Sequence, residues 1–548
     1  MKYQSTDGAA IGCRIGGTTD QTAANLYVPR HVQIHILEEP DELADFFSGI
    51  HIREMTEASV FKITDMLQLM GSPVTVVSEE GYADRIFQDA YFLYFSKKYS
   101  RVSQDCIRLS FFQGALHPDT FQKYDAESER FLQSRFVGIC VLKPIQSGEV
   151  GLTVISPGKL RLSPCLLRTA KFSYNILGHM LYTEGYPYSS QDAETMSCAE
   201  VTVWSILEYF GTRFPQYRTA LPSEILREIE LDNAERVLPT RGLEYSSISR
   251  LFKAFGFSPR LYDRKAYEGS PELNRQFETI FHYYVESGIP LAVGISGKKR
   301  GEEVKHSIVC IGHGSRMRKL SSLPIQYLGR EPIYPYIDAA DLYENYVLMD
   351  DNRCPYQVES FQALGGWDSS AVSTFAVPLF RDIYLEAGEV SAIVQTVFAS
   401  ENLGISPLIP QIGETVDQNN PLVLRIFLAS SSVYQHYRAK DASSTAVAAF
   451  YSALRLPEYV WVTEIATFQQ YQGRKICGEI LIDAKSSRTS YLDSLILVRY
   501  LDHLGFREPE EDAVRAIDAG LKHRTEGLLW PFTMYEGNLE ACGKEDAL

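Results

Sequence analysis

Two periodicities alternate along this chain. Short apolar runs suit buried strands, and segments with apolar residues every third or fourth position suit helices lying on a core. Residues 1–165 mix both. Positions 28–37 read as a strand, 41–47 and 82–98 have helical spacing, and 136–145 and 151–155 read as strands around the polar turn 146–149. Residues 166–390 place helices before strands. An apolar helical run opens at Cys198 and continues to Phe210, a second helix is expected over 246–255, and a third over 273–287, the last two stopped by Gly256 and Gly288. There follow a buried-strand pattern at 290–295, a polar turn at 296–303, a strand led by His306, and an apolar run at 346–350 with an acidic end. Between those last two strands, 316–343 is a proline-bearing insertion of the length usual for a functional loop or flap. Residues 391–548 predict strands at 421–429, 458–465 and 475–483, then amphipathic helices at 491–504 and 511–522.

The pattern predicts an α+β protein of three units. These are a mixed α/β domain over 1–165, a central domain over 166–390 with a helix packed on an antiparallel sheet, and a mixed α/β domain over 391–548. A chain of 548 residues is too long for one core, and 45% hydrophobic with 22% charged residues is the balance of a soluble globular protein. A net charge of −16 argues against a nucleic-acid surface, because the short basic stretch Lys298-Lys299-Arg300 is offset at once by Glu302 and Glu303. No apolar run reaches 18 residues and the first residues are polar, so no membrane partner is expected. Nine scattered cysteines without a Cys-x-x-Cys pair fit a reducing interior, and the expected location is cytoplasmic.

Candidate chemistry concentrates in the central unit; the first unit offers no cluster of reactive residues. Cys198 opens its helix, where unsatisfied N–H groups favour a thiolate, and Ser197 and Thr195 can cap that helix. His306 is the expected base, with His313, in Gly312-His313-Gly314, as its competitor. A carboxylate to orient the imidazole is expected from Asp350 or Asp351, and Asn352 is a third possibility. Side chains alternate across a regular strand, so only one of the two aspartates is expected to face the histidine. Gln191, seven positions before the cysteine, can donate an N–H to an oxyanion. His31 and His35 lack a third metal ligand, and Glu464 and Asp483 read as solvated or capping carboxylates. Neither a metal nor a cofactor is expected.

In the order Gln191, Cys198, Gly288-Ile289-Pro290, His306 and Asp350, the chain resembles the papain-like cysteine peptidase superfamily, especially its bacteriocin-processing bacterial branch. The likeness covers residues 180–380, about a third of the chain. The Cys-Gly-Ser-Cys-Trp signature of papain itself is absent; Met196-Ser197-Cys198-Ala199-Glu200 stands there instead. The resemblance implies a papain-like central domain flanked by two mixed α/β domains. It also implies a thiol hydrolase, a cysteine peptidase acting on a protein or peptide through an acyl-enzyme. The same order of residues also fits a transglutaminase-like acyl transferase, or an interaction scaffold that keeps the shape without the chemistry.

Overall fold

The computed structural model describes residues 31–43, 46–47, 55–146, 148–231, 237–240, 243–299, 301–329, 332–367, 369–400, 405–442, 444–487, 493–506, 523–524 and 528–543. A five-stranded antiparallel sheet comes first, in the order β1 (Val32–Leu37), β2 (Val74–Tyr82), β3 (Cys106–Gln113), β4 (Phe136–Leu142) and β5 (Val150–Ile155). Its helices are α1 (Glu57–Met70), α2 (Arg85–Leu93) and α3 (Ala126–Arg135). Asp84 starts α2 by accepting the Phe87 N–H, which leaves Tyr82 in the preceding strand rather than in a helix. The expected helix at 41–47 falls partly outside the described residues; a 3-10 turn spans Pro40–Glu42, and Leu43, Phe46 and Phe47 are helical.

Strand β6 (Cys165–Leu167) and the hairpin β7 (Ala170–Ile176) and β8 (His179–Gly185) lead into the helices α4 (Cys198–Arg213), α5 (Pro222–Glu230), α6 (Tyr245–Ala254) and, after β9 (Arg260–Asp263), α7 (Pro271–Glu286). Next come β10 (Leu291–Lys299) and β11 (Glu302–Gly314). They pair as one long hairpin in which Lys299 faces Glu302, so the segment expected as a polar turn is mostly strand and the turn itself is tight. Polar alternation at 296–303 reflects the exposed end of that hairpin. With β14 (Asn345–Met349), β15 (Gln357–Ser360) and β16 (Ser369–Val377), the central sheet runs β15-β14-β11-β10-β16-β9, and β6 pairs with the far end of β11.

This sheet is buried on both faces. Val309, Ile311, Val347 and Met349 join the core containing α1 and α4, while Ile308, Cys310, Tyr346 and Leu348 join the opposite core. Successive residues therefore serve different cores, which explains why these strands read as unbroken apolar runs. Helix α4 is buried without interruption from Ala199 to Phe210. It lies between the sheet and the other helices, so over that stretch no side of it is left to solvent.

The remaining strands form a second large sheet. Strands β12 (Gln326–Leu328) and β13 (Tyr334–Asp338) pair with each other, and β13 runs parallel to β17 (Leu422–Ser430). The insertion at 316–343 thus supplies the edge of another sheet and is no free flap. Helix α8 (Ala387–Ala399) precedes β17, and α9 (Ser431–Asp441) and α10 (Thr445–Ala453) follow it. After β18 (Tyr459–Thr467) come β19 (Lys475–Ile476), β20 (Gly478–Asp483), β21 (Leu495–Tyr500), β22 (His503–Phe506) and β23 (His523–Arg524). The expected helix at 491–504 is therefore the hairpin β21–β22. Residues 495–500 are all buried, and the unbroken apolar run Leu495-Ile496-Leu497-Val498 suits an interior strand better than an amphipathic helix. The expected helix at 511–522 lies outside the described residues. Strand β24 (Phe532–Thr533) pairs with β19, and β25 (Glu540–Cys542) returns to the central sheet beside β6. No helix among the described residues is long and apolar enough to cross a membrane.

Candidate active site

Cys198 occupies the first turn of α4, half-buried, behind the N-cap Ser197. A capping box closes the helix start: Glu200 Oε2 accepts the Ser197 N–H at 3.1 Å and the Ser197 hydroxyl, and Glu200 Oε1 accepts from Thr240 Oγ1 at 2.5 Å. Thr195 plays a different part from the capping role expected of it. Its N–H and hydroxyl bind Asp192, whose Oδ1 also takes the N–H groups of Glu194 and Met196 at 2.9 Å. One carboxylate thus folds the connection between Gln191 and Cys198 into a fixed arch. It sets Cys198 in the first turn, where helix N–H groups lack partners within the helix.

His306 pairs across the hairpin with Ile295 and is buried. Its Nε2 lies 2.8 Å from Asp350 Oδ1, and Cys198 is among the groups that raise its pKa. With Nε2 held by the carboxylate, Nδ1 is the nitrogen free for another partner. Burial alone lowers the pKa of this histidine, but hydrogen bonds to Asp350, Asp351 and Cys198 outweigh it and hold the pKa well above its usual value. Asp350 shifts in the complementary sense. Burial raises its pKa, yet the bond and charge of His306 and the Asn352 N–H bring it below the ordinary carboxylate value.

Both aspartates reach the imidazole, contrary to the expectation that one would face away; Asp351 Oδ1 is 3.2 Å from Nε2. Strand β14 stops at Met349, so 350–351 belong to a turn and the alternation rule no longer applies. Asn352 Nδ2 is 3.1 Å from the same nitrogen, and its Oδ1 accepts from Gln191 Nε2 at 3.2 Å. Gln191 therefore sits on the rim with one N–H engaged and one spare. His313 is elsewhere: its Nε2 meets Glu286 at 2.8 Å in a separate buried cluster. Glu464 is neither solvated nor capping; it is buried between Arg425 and Arg438.

Sequence reasoning missed four contributors. Lys62 of α1 is buried and donates at 2.7 Å to both Ser190 Oγ and the Asp351 carbonyl, so the first unit does reach the site. It bridges the Gln191 loop and the acidic turn. Burial lowers its pKa, opposed by Asp351 and Asp350. Tyr188 donates to the carbonyls of Asp351 at 3.1 Å and Arg353 at 2.7 Å, fixing the same turn. Tyr245, at the start of α6, lies against Gly294, where a Cβ would run into its ring and into Thr374 Oγ1. The Trp367 ring tilts against His306 at 6.2 Å between centroids. A lysine on an amphipathic helix and a tyrosine at a helix start carry no signal in one sequence; only the fold brings them here.

A thiol at a helix N-terminus, an imidazole whose pKa is held up and a buried carboxylate are a set of groups that can form a thiolate. No protein-family model matches the chain, and no curated protein matches it either.

Proposed function

We propose that the chain is a cysteine peptidase of papain-like design, acting in the cytoplasm on a protein or peptide. The observation that carries this reading is the 2.8 Å contact of Asp350 with a buried His306 whose pKa responds to Cys198, the residue at the head of a buried helix. His306 takes the thiol proton, and the thiolate attacks the scissile carbonyl carbon. The oxyanion accepts from the Cys198 N–H and from the spare N–H of Gln191. Collapse of that intermediate breaks the C–N bond as His306 returns the proton to the leaving amine. Water, deprotonated by His306, then releases the acyl group from sulfur. Asp350 keeps Nε2–H toward itself throughout, so Nδ1 stays aimed at sulfur, and Asp351 adds negative charge to the same nitrogen.

The test is capture of the acyl-enzyme. Full-length protein incubated with activated peptide esters is expected to gain one acyl group on Cys198, detected by mass spectrometry, and to release it slowly. Cys198→Ala is expected to give no adduct. Absence of any adduct from the folded wild type over a broad peptide panel overturns the reading. Adducts that pass to added amines faster than to water turn it toward acyl transfer.

A further inference from the structure

A second cluster of reactive side chains lies outside the Cys198 centre, where the central sheet meets the second large sheet. His282 and Glu286 sit one turn apart on α7, and His313 comes from β11; all three are buried. His313 Nε2 is 2.8 Å and His282 Nε2 3.6 Å from the same oxygen, Glu286 Oε2. The three donor atoms lie within 4.8 Å of one another.

The outer contacts fix which lone pairs face inward. His313 Nδ1 lies 2.8 Å from the Gly314 carbonyl, an acceptor only, so Nδ1 carries the proton. His282 Nδ1 lies 3.3 Å from the Tyr346 hydroxyl, which can accept its proton. Glu286 uses its other oxygen, Oε1, for Arg425 Nε at 2.8 Å and for Nη2. With the His282 proton placed on Nδ1 toward Tyr346, both Nε2 lone pairs and one carboxylate oxygen converge with no hydrogen between them. Histidines held by an outer acceptor at one nitrogen, with the other turned toward a carboxylate, are the usual arrangement around a metal ion. A proton on His313 would satisfy its contact with Glu286. It would leave His282 Nε2, buried and without a hydrogen-bond partner, unsatisfied. A cation at the centre satisfies all three.

We propose that His282, Glu286 and His313 bind a divalent transition-metal ion, zinc first. Two imidazole nitrogens and one carboxylate oxygen form a donor set suited to it, with water completing the coordination. Enclosure on all sides makes the site structural. The ion ties α7 to β11 and, through Arg425 on Glu286, to β17 of the other sheet. The proposal is independent of the peptidase reading.

The test separates this cluster from His306, Asp350 and Asp351, which also gather carboxylates around an imidazole. Full-length protein carrying Cys198→Ser and His306→Ala is incubated with Zn2+, desalted and assayed for metal. Retention of about one zinc per chain is expected, falling at least about tenfold when His282→Ala or His313→Ala is added. If those additions prevent folding, Co2+ titration of the Cys198→Ser, His306→Ala protein decides instead. Visible ligand-field bands without a thiolate charge-transfer band, bleached by about one equivalent of Zn2+, support the site. Failure of the Cys198→Ser, His306→Ala protein to retain zinc, zinc undiminished in folded protein lacking either histidine, or no such cobalt bands overturns the proposal.

Discussion

Replacing Asp350 by Asn isolates the charge that orients His306 while keeping an acceptor in nearly the same place. A hydrogen bond to a charged group contributes about 1.5–3 kcal/mol and a neutral one about 0.5–1.5. The change therefore removes about 1–1.5 kcal/mol of preference for imidazolium, close to one pKa unit, or about tenfold in the ion-pair population. Asp351, 3.2 Å from the same nitrogen, limits the loss, and changing both aspartates to asparagine is expected to bring it to about a hundredfold. The assay is the rate of iodoacetamide alkylation at pH 5.5, read peptide by peptide. The protein carries its own controls, because burial pushes Cys140, Cys165, Cys310 and Cys477 up to about 12 and Cys354 and Cys542 up to about 11. Cys198 is expected to react fastest in the wild type at this pH, and about tenfold slower in Asp350→Asn. A folded Asp350→Asn protein that alkylates at the wild-type rate refutes the role given to this carboxylate.

Three further outcomes follow from the same geometry. The pKa of His306 is held above 6.5, so its stabilising contribution is full below that value and is lost as pH rises through the folded pKa; the Asp350 pKa is held below 3.8, so its contribution is full above that value and is lost as pH falls. Urea unfolding is thus expected to separate wild type from His306→Gln most widely between those two values, by about 3–5 kcal/mol for a broken buried pair, and a gap that widens above pH 9 contradicts this. Lys62→Met removes the donor shared by Ser190 and Asp351. It is expected to slow Cys198 alkylation at pH 5.5 several-fold with less than about 2 kcal/mol change in stability, and an unchanged rate removes Lys62 from the site. Gly294→Ala drives a methyl group into Tyr245 and Thr374 and is expected to destabilise by about 1–3 kcal/mol in denaturant titration; a neutral result shows that the close approach is not there.

What the sequence displayed and what it hid divide along physical lines. Strands β10, β11 and β14 of the central sheet were legible because both faces are covered, which turns them into apolar runs, whereas β6, β9, β15 and β16 were not read as strands. The Cys198 helix was legible because an apolar segment of that length has no other home. The run at 495–500 was misread because four apolar residues in a row, Leu495 to Val498, carry no period of their own. Positions 316–343 were misread because an edge pairing with β17, in which Tyr336 faces Leu422, leaves no local trace. In the site, Cys198, His306 and the two aspartates stand out by residue type and order. The choice between the aspartates turned on where a strand ends, a boundary that hydrophobic patterning locates to within a few residues at best. Lys62 was invisible for a different reason: a lysine is expected in solvent, and only the partners around its ammonium reveal that this one is inside.

The pairing of β25 with β6 has a consequence for how the molecule is made. Thr169 donates to Glu540 Oε2 at 2.5 Å across 371 residues of intervening chain. A ribosome must therefore have passed residue 542 before the rim of the central sheet can be sealed, and contacts of such high order slow folding. Until then β6 presents an open edge that invites a stray strand from another nascent chain. Expression of residues 166–390 alone would leave that edge bare for good. Insoluble product from such a fragment would then report a missing neighbour rather than a fault in the fragment's own core.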